Sequence, residues 1–330
     1  VNDGQFQITS IVQPGFPDNI PNPVTFSVPN GGDQTFFLRD EKVSYYVEVK
    51  NGDSGFETLS LQYDFTVGGG TATLNGGRGT DTLVISDESA ALNGMVDGQI
   101  VNLEVIQTTN DAADPMTLDL SEQSEGFTFY DSDAGNNLTG GRGNDTIYGF
   151  DGDDVIDGHT GDDSIIGGNG ADTLDGSGGN DVFVYATAAD LFSDGDLIDS
   201  ITGGNEADTI KIDQATAYTI AVTDSFARAN EVETLAAGGD NTGNISITLH
   251  ADAFSTADIR QVTLAADTNA AGTNTINASS QTNGAVDLTL TGSAGADSIT
   301  GGSGDDNVSG GSGNDTITGG AGADVINGGD

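Results

Sequence analysis

The 330-residue sequence contains no cysteine, and it has only eight basic side chains against 52 acidic ones. Without cysteine there is no disulfide framework, which fits an exported chain cross-linked by metal instead. The formal charge of −44 makes nucleic acid and anionic membrane poor partners and divalent cations good ones. Only two histidines, His159 and His250, are present, and neither a GxSxG elbow nor a cysteine nucleophile occurs. No apolar run approaches the ~20 residues of a membrane span, and the stretch from Val1 onward does not read as a signal peptide. Leu, Ile, Val and Phe make up only roughly a fifth of the chain, near the limit where an acidic sequence stays disordered. Without a counter-ion, such a chain repels itself.

What is present in excess is glycine, 50 residues, about twice the usual ~7 %. Much of it falls in register. From Gly140 to Val184 five nine-residue units follow one another: GGRGNDTIY, GFDGDDVID, GHTGDDSII, GGNGADTLD and GSGGNDVFV. Each has glycine at its fourth place, aspartate at its sixth and a large apolar residue at its eighth. A second block, GSAGADSIT, GGSGDDNVS, GGSGNDTIT and GGAGADVIN, begins at Gly292, with Ile299, Val308, Ile317 and Ile326 at the apolar place. A six-residue turn that folds back sharply needs glycine for positive φ or close backbone approach. The closing triplet is too short for a helix, and its apolar middle residue suits a strand pointing inward. Turn carbonyls and one carboxylate per unit are hard oxygen donors of the kind calcium prefers, with no sulfur or clustered imidazole for a softer metal.

These units resemble the RTX family of secreted repeat proteins, whose nonapeptide is G-G-x-G-x-D-x-U-x. The resemblance implies a right-handed parallel β-roll in which two nonapeptides make a turn and calcium lies between turns. Sites 18 residues apart then pair Asp145 with Asp163, Asp154 with Asp172, Asp163 with Asp181, Asp297 with Asp315 and Asp306 with Asp324. Backbone carbonyls would come from the turn glycines Gly140, Gly143, Gly152, Gly161, Gly170, Gly179, Gly295, Gly304, Gly313 and Gly322. The family is exported by a one-step bacterial system and folds outside the cell, which implies a secreted or cell-surface location. The HExxHxxGxxH zinc site of RTX metalloproteases cannot be built from two histidines, and both read as solvated residues.

The remainder is expected to be β structure too, making the chain all-β. Residues 1–67 hold nearly all the proline and alternating runs such as Val43 to Val49, which read as a small antiparallel unit or solenoid cap. Residues 68–139 read as β-helix rungs with one isolated repeat, Gly76 to Val84, whose Asp81 either binds an ion or belongs to a turn of similar shape. After the first calcium block at 140–184, residues 185–211 read as a degenerate continuation, since stepping by nine from Asp181 reaches Asp190, Asp199 and Asp208. These four aspartates are weaker candidates for calcium. The segment Asp213 to Asn230 carries helical character around Ser225 to Arg228 and reads as a surface loop or a short helix. Residues 212–291 read as metal-free rungs with strand centres at Thr234, Ile247, Thr263, Ile276 and Leu288, and 292–330 as the second calcium block.

A start without methionine and an end at Gly328-Gly329-Asp330, inside a new repeat, read as a fragment of a longer protein. The expected function is noncatalytic: a calcium-dependent surface-layer or extracellular-matrix protein that associates with copies of itself. The alternative is the stalk or accessory region of a large RTX adhesin, or of a secreted enzyme with its catalytic domain elsewhere.

Overall fold

A computed structural model describes residues 24–29, 35–38, 46–48, 56–61, 74–75, 80, 82–85, 93, 96–97, 100–108, 115–239 and 241–330. The glycines of the isolated repeat and Asp81 lie outside the described residues. Two compact units divide the chain, Val1–Gly161 and Asp162–Asp330.

In the first unit, the nine-residue phase sends successive strands to alternate sheets. Thr128–Tyr130 and Thr146–Tyr148 pair in parallel, Phe129 opposite Ile147. Between them in sequence, Asn137–Thr139 pairs with Val155–Asp157, Leu138 opposite Ile156. Two nonapeptides therefore make one rung. The first sheet continues back through Val105–Thr108 and Thr82–Ile85 to Thr35–Leu38, all parallel. The second sheet reaches Thr117–Asp119. Among the described residues of this unit, antiparallel pairing occurs only toward the start: Val24–Pro29 with Phe56–Leu61, and Thr35–Leu38 with Tyr46–Glu48. Thr35–Leu38 thus belongs to an antiparallel pair and to the parallel sheet at once.

The second unit alternates in the same way. Ser164–Ile166, Val182–Tyr185, Thr209–Ile212, Thr234–Ala237, Gln261–Thr263, Thr289–Thr291, Asn307–Ser309 and Val325–Asn327 form one parallel sheet in sequence order. Opposite it stand Thr173–Gly178, Ser200–Asn205 and Ala229–Asn230, then Tyr218–Ile220, Ile245–Thr248, Thr273–Asn277, Ala296–Thr300 and Thr316–Thr318. Strands are present where rungs are expected between the blocks. The fifth is centred on Leu290 rather than Leu288, although both side chains are buried.

Three-residue strands with an apolar middle residue bury one side chain each, since successive residues point to opposite faces. Ile147, Ile156, Ile165, Phe183, Ile210, Leu235, Val262, Leu290 and Val308 are all at most 1 % exposed. Each buried side chain of this size contributes roughly 1.5–3 kcal/mol. The stack therefore needs no large hydrophobic fraction, because each rung requires only one inward residue per sheet.

Of the two readings of the segment Asp213 to Asn230, the short helix is not formed, and Ser225 to Arg228 is irregular with turns. Among the described residues, helices occur instead at Ala188–Leu191 and Asp252–Ser255. Phe226 is driven inside and meets the Phe192 ring edge-on at 5.1 Å, Ser225 Oγ donates to Asp252 at 2.5 Å, and Ala229 joins a sheet. Tertiary burial and side-chain bonding override a weak local propensity.

Candidate metal sites

Each repeat turn stacks closely on the one before it. At the fourth place Gly161 has φ +127°, and a Cβ there would sit 2.6 Å from the Gly143 carbonyl oxygen. Only glycine combines that conformation with that approach. In six of the nine units the second place is also left-handed, and here the sequence pattern concealed a feature: Phe150, His159 and Ser177 occupy it with φ of 70°, 74° and 66°. Non-glycine residues in this region are strained by roughly 1–2 kcal/mol each, so the rest of the turn holds them there. His159 Nδ1 lies 3.2 Å from the Gly141 carbonyl oxygen.

The sixth-place aspartates are tied to the backbone in a regular way. One carboxylate oxygen accepts the main-chain N–H of the residue one rung earlier on the same face. Asp145 accepts from Phe127 at 2.6 Å, Asp154 from Asn136 at 2.8 Å and Asp181 from Asp163 at 2.8 Å. In the second block Asp306 accepts from Leu288 at 2.9 Å, Asp315 from Asp297 at 2.9 Å and Asp324 from Asp306 at 3.1 Å. Asp163–Asp181, Asp297–Asp315 and Asp306–Asp324 are therefore in contact at the 18-residue spacing, the main-chain N–H of the first meeting the carboxylate of the second.

The second carboxylate oxygen turns back toward its own turn. In Asp145 it accepts from Gly141 at 2.6 Å, in Asp297 from Ser293 at 2.6 Å and in Asp306 from Gly302 at 2.9 Å. It also crowds the first glycine of the unit, beside a carbonyl from the next rung. A side chain at Gly176 would meet both Asp181 Oδ2 and the Gly203 carbonyl oxygen, and one at Gly310 would meet Asp315 Oδ2 and the Gly328 carbonyl oxygen. Glycine keeps that cradle of oxygens open.

Asp145, Asp154, Asp163, Asp172, Asp181, Asp297 and Asp306 are at most 3 % exposed, whereas Asp315 and Asp324 are half-buried. Asp181 Oδ2 and Asp315 Oδ2 are buried without a hydrogen-bond donor. Burial pushes the Asp145 carboxyl up from its ordinary 3.8 to about 7. Burial does the same to Asp181, to about 7, helped by the charges of Asp163, Asp208 and Asp162. Asp297 and Asp306 are also raised, by burial first. Buried carboxylate oxygens lacking donors and converging with carbonyls fit a hard cation such as calcium. Among the described residues, no three carboxylate or imidazole side chains are placed to hold a metal ion by themselves. The carbonyls are thus an essential part of any such donor set.

The weaker candidates separate. Asp190 leaves the column altogether and caps the helix Ala188–Leu191 in a reciprocal box with Thr187. Asp199 stays in the column and accepts from Asp172 at 2.9 Å, but its second oxygen accepts the Tyr185 hydroxyl at 2.8 Å. Asp208 accepts from Asp181 at 2.8 Å, and its second oxygen has no donor. These last two steps span 27 residues, not 18. The extra nine accommodate the short helix and the hairpin of Phe192–Ser193 with Asp196–Leu197.

Two rungs close the same place with an amide, which the sequence reading missed. In 131–139, Asn136 stands at the sixth place and Asp131 at the first. Asn136 Oδ1 accepts from Met116 at 2.6 Å, as an aspartate would, while Nδ2 donates to Asp131 Oδ1 at 2.7 Å. Asn274 likewise accepts from Ile245 at 2.8 Å and donates to Asp267 Oδ2 at 3.0 Å and Ser293 Oγ at 2.9 Å. Stepping back nine from Asp145 would have found Asn136. Nothing in the local sequence marks Asn274 or Tyr185.

In a scan of family models, the RTX calcium-binding nonapeptide repeat matches this chain four times, at residues 130–165, 151–183, 289–317 and 300–330. The matches fall on the two blocks whose carboxylate geometry is described above. A search of curated proteins finds no match.

Proposed function

We propose, from the premise that this chain carries RTX calcium-binding nonapeptide repeats, that it is an extracellular structural protein. It folds on calcium after secretion and assembles with copies of itself into a surface layer or matrix. The observation that carries the reading is the buried, donor-free oxygen of Asp181, set against the Gly203 carbonyl in a cradle only glycine leaves open. Calcium supplies the positive charge that such oxygens require. The aspartates Asp145, Asp154, Asp163, Asp172, Asp181, Asp297, Asp306, Asp315 and Asp324, with the turn glycines, are its proposed ligands.

The energetics favour folding coupled to the ion. At free calcium ten times the dissociation constant, each site adds about 1.4 kcal/mol. Five such sites add about 7 kcal/mol, comparable to the ~5–15 kcal/mol stability of an ordinary domain. At the ~10⁻⁴–10⁻³ M affinities of extracellular modules, the chain stays unfolded where calcium is scarce and folds where it is plentiful.

The reading is noncatalytic. The buried aspartates are engaged in backbone bonding from rung to rung, which suits a rigid stack rather than proton transfer. A charge of −44 also keeps copies apart until divalent ions bridge or neutralise them. Calcium titration followed by electron microscopy tests the assembly: ordered sheets, tubes or filaments support it. Monomers at every calcium level contradict it and favour a stalk of a larger secreted protein.

A further inference from the structure

We propose that Asp208, with Glu233 and the Glu231 carbonyl, forms a calcium site outside the matched repeats. The proposal rests on the reading of the repeats as calcium sites and extends it to a rung where only one side comes from a nonapeptide.

Gly203 to Lys211 reads GGNEADTIK, a repeat with Glu206 where the fourth-place glycine belongs. Glu206 nevertheless takes φ +76°, so the turn keeps its left-handed step. Asp208 is fully buried. Its Oδ1 accepts the Asp181 N–H at 2.8 Å, and its Oδ2 has no donor. The next rung carries no nonapeptide, yet Glu233 takes over the acceptor's part: its Oε2 receives the Asp208 N–H at 2.8 Å. That is the bond Asp181 makes to Asp163 and Asp324 makes to Asp306.

The oxygen cradle is reproduced as well. A Cβ on Gly203 would lie 2.6 Å from Asp208 Oδ2 and would collide with the Glu231 carbonyl oxygen. Gly176 stands in the same relation to Asp181 Oδ2 and the Gly203 carbonyl. Glu233, Glu206 and Glu231 all lie near enough for their charges to act on Asp208. The neighbouring aspartate on the other face, Asp199, differs in the one respect that matters: the Tyr185 hydroxyl already occupies its second oxygen. A hard cation with oxygen ligands satisfies Asp208, and the longer reach of glutamate replaces the missing repeat.

The test counts calcium bound per full chain by equilibrium dialysis, with circular dichroism in calcium to verify folding. Asp208→Asn keeps the Oδ1 acceptor, the exchange that Asn136 and Asn274 already make in their rungs, so the fold is retained. It is expected to bind one calcium fewer than the wild type. Glu233→Gln is expected to weaken one ion by about tenfold or more and leave the others unchanged. Asp306→Asn, inside a matched repeat, serves as the reference and is also expected to lose one ion. A folded Asp208→Asn chain that binds as much calcium as the wild type, while Asp306→Asn binds less, overturns the site alone. A wild-type chain that binds no calcium overturns the underlying reading as well.

Discussion

The main-chain N–H of Asp163 donates to Oδ1 of Asp181 at 2.8 Å, from one rung to the next on the same face. One carboxylate thus has two separable duties: Oδ1 joins rungs whether or not an ion is bound, and Oδ2 faces the oxygen cradle at Gly176.

Asp181→Asn and Asp181→Ala should divide those duties. The asparagine keeps an acceptor for the Asp163 amide, so its loss of stability should appear in calcium and shrink in chelator at mildly acidic pH, where the metal-free fold persists. The alanine also strands a buried amide, which costs about 1–3 kcal/mol more. Thermal melts of both variants in calcium, and in chelator at mildly acidic pH, measure the difference.

The amide-closed rungs make the opposite prediction. Asn274 donates to Asp267 and Ser293, so Asn274→Asp replaces a hydrogen bond with facing carboxylates. In calcium just sufficient to fold the wild type, the Ile245 and Ile276 amides should then exchange faster, by an amount corresponding to a loss of roughly 1–3 kcal/mol or more. Hydrogen exchange read residue by residue checks it.

Tyr185→Phe removes the hydroxyl that donates to Asp199 Oδ2 at 2.8 Å. The variant should be destabilised by about 1–3 kcal/mol with no loss of bound calcium. A calcium count that falls would place an ion at Asp199 after all.

Acid should partly substitute for the ion. The metal-free fold raises Asp145 and Asp181 from 3.8 to about 7, through burial. Between those values the folded chain holds protons that the unfolded chain has released. Stability from these groups is therefore fully present below pH 3.8 and lost as pH rises through about 7. In chelator the β signal should be strongest in mild acid and fade toward neutrality, while in excess calcium that fading should disappear. A circular dichroism titration in both conditions measures it.

The parallel stacking and the inward residues of the repeat blocks were legible because glycine, aspartate and an apolar residue recur at fixed places. So was the continuation through Asp199 and Asp208, whose nine-residue phase outlasts the glycine pattern. The 27-residue rungs were less so, since the helix Ala188–Leu191 and the hairpin after it interrupt the column at Asp190 without breaking the phase. The plugs at Asp199 and Asn274 were invisible because Tyr185 and Asp267 arrive from other parts of the rung. Phe226 misled for a related reason: its burial is decided by Phe192 and the sheet beyond it, not by its neighbours in sequence.

The most direct test of calcium-coupled folding is far-UV circular dichroism of the full chain in EGTA, followed by excess calcium at neutral pH. The account predicts a largely disordered spectrum in chelator and a β spectrum on adding calcium, reversible by further EGTA. A β spectrum that chelation leaves unchanged would contradict it.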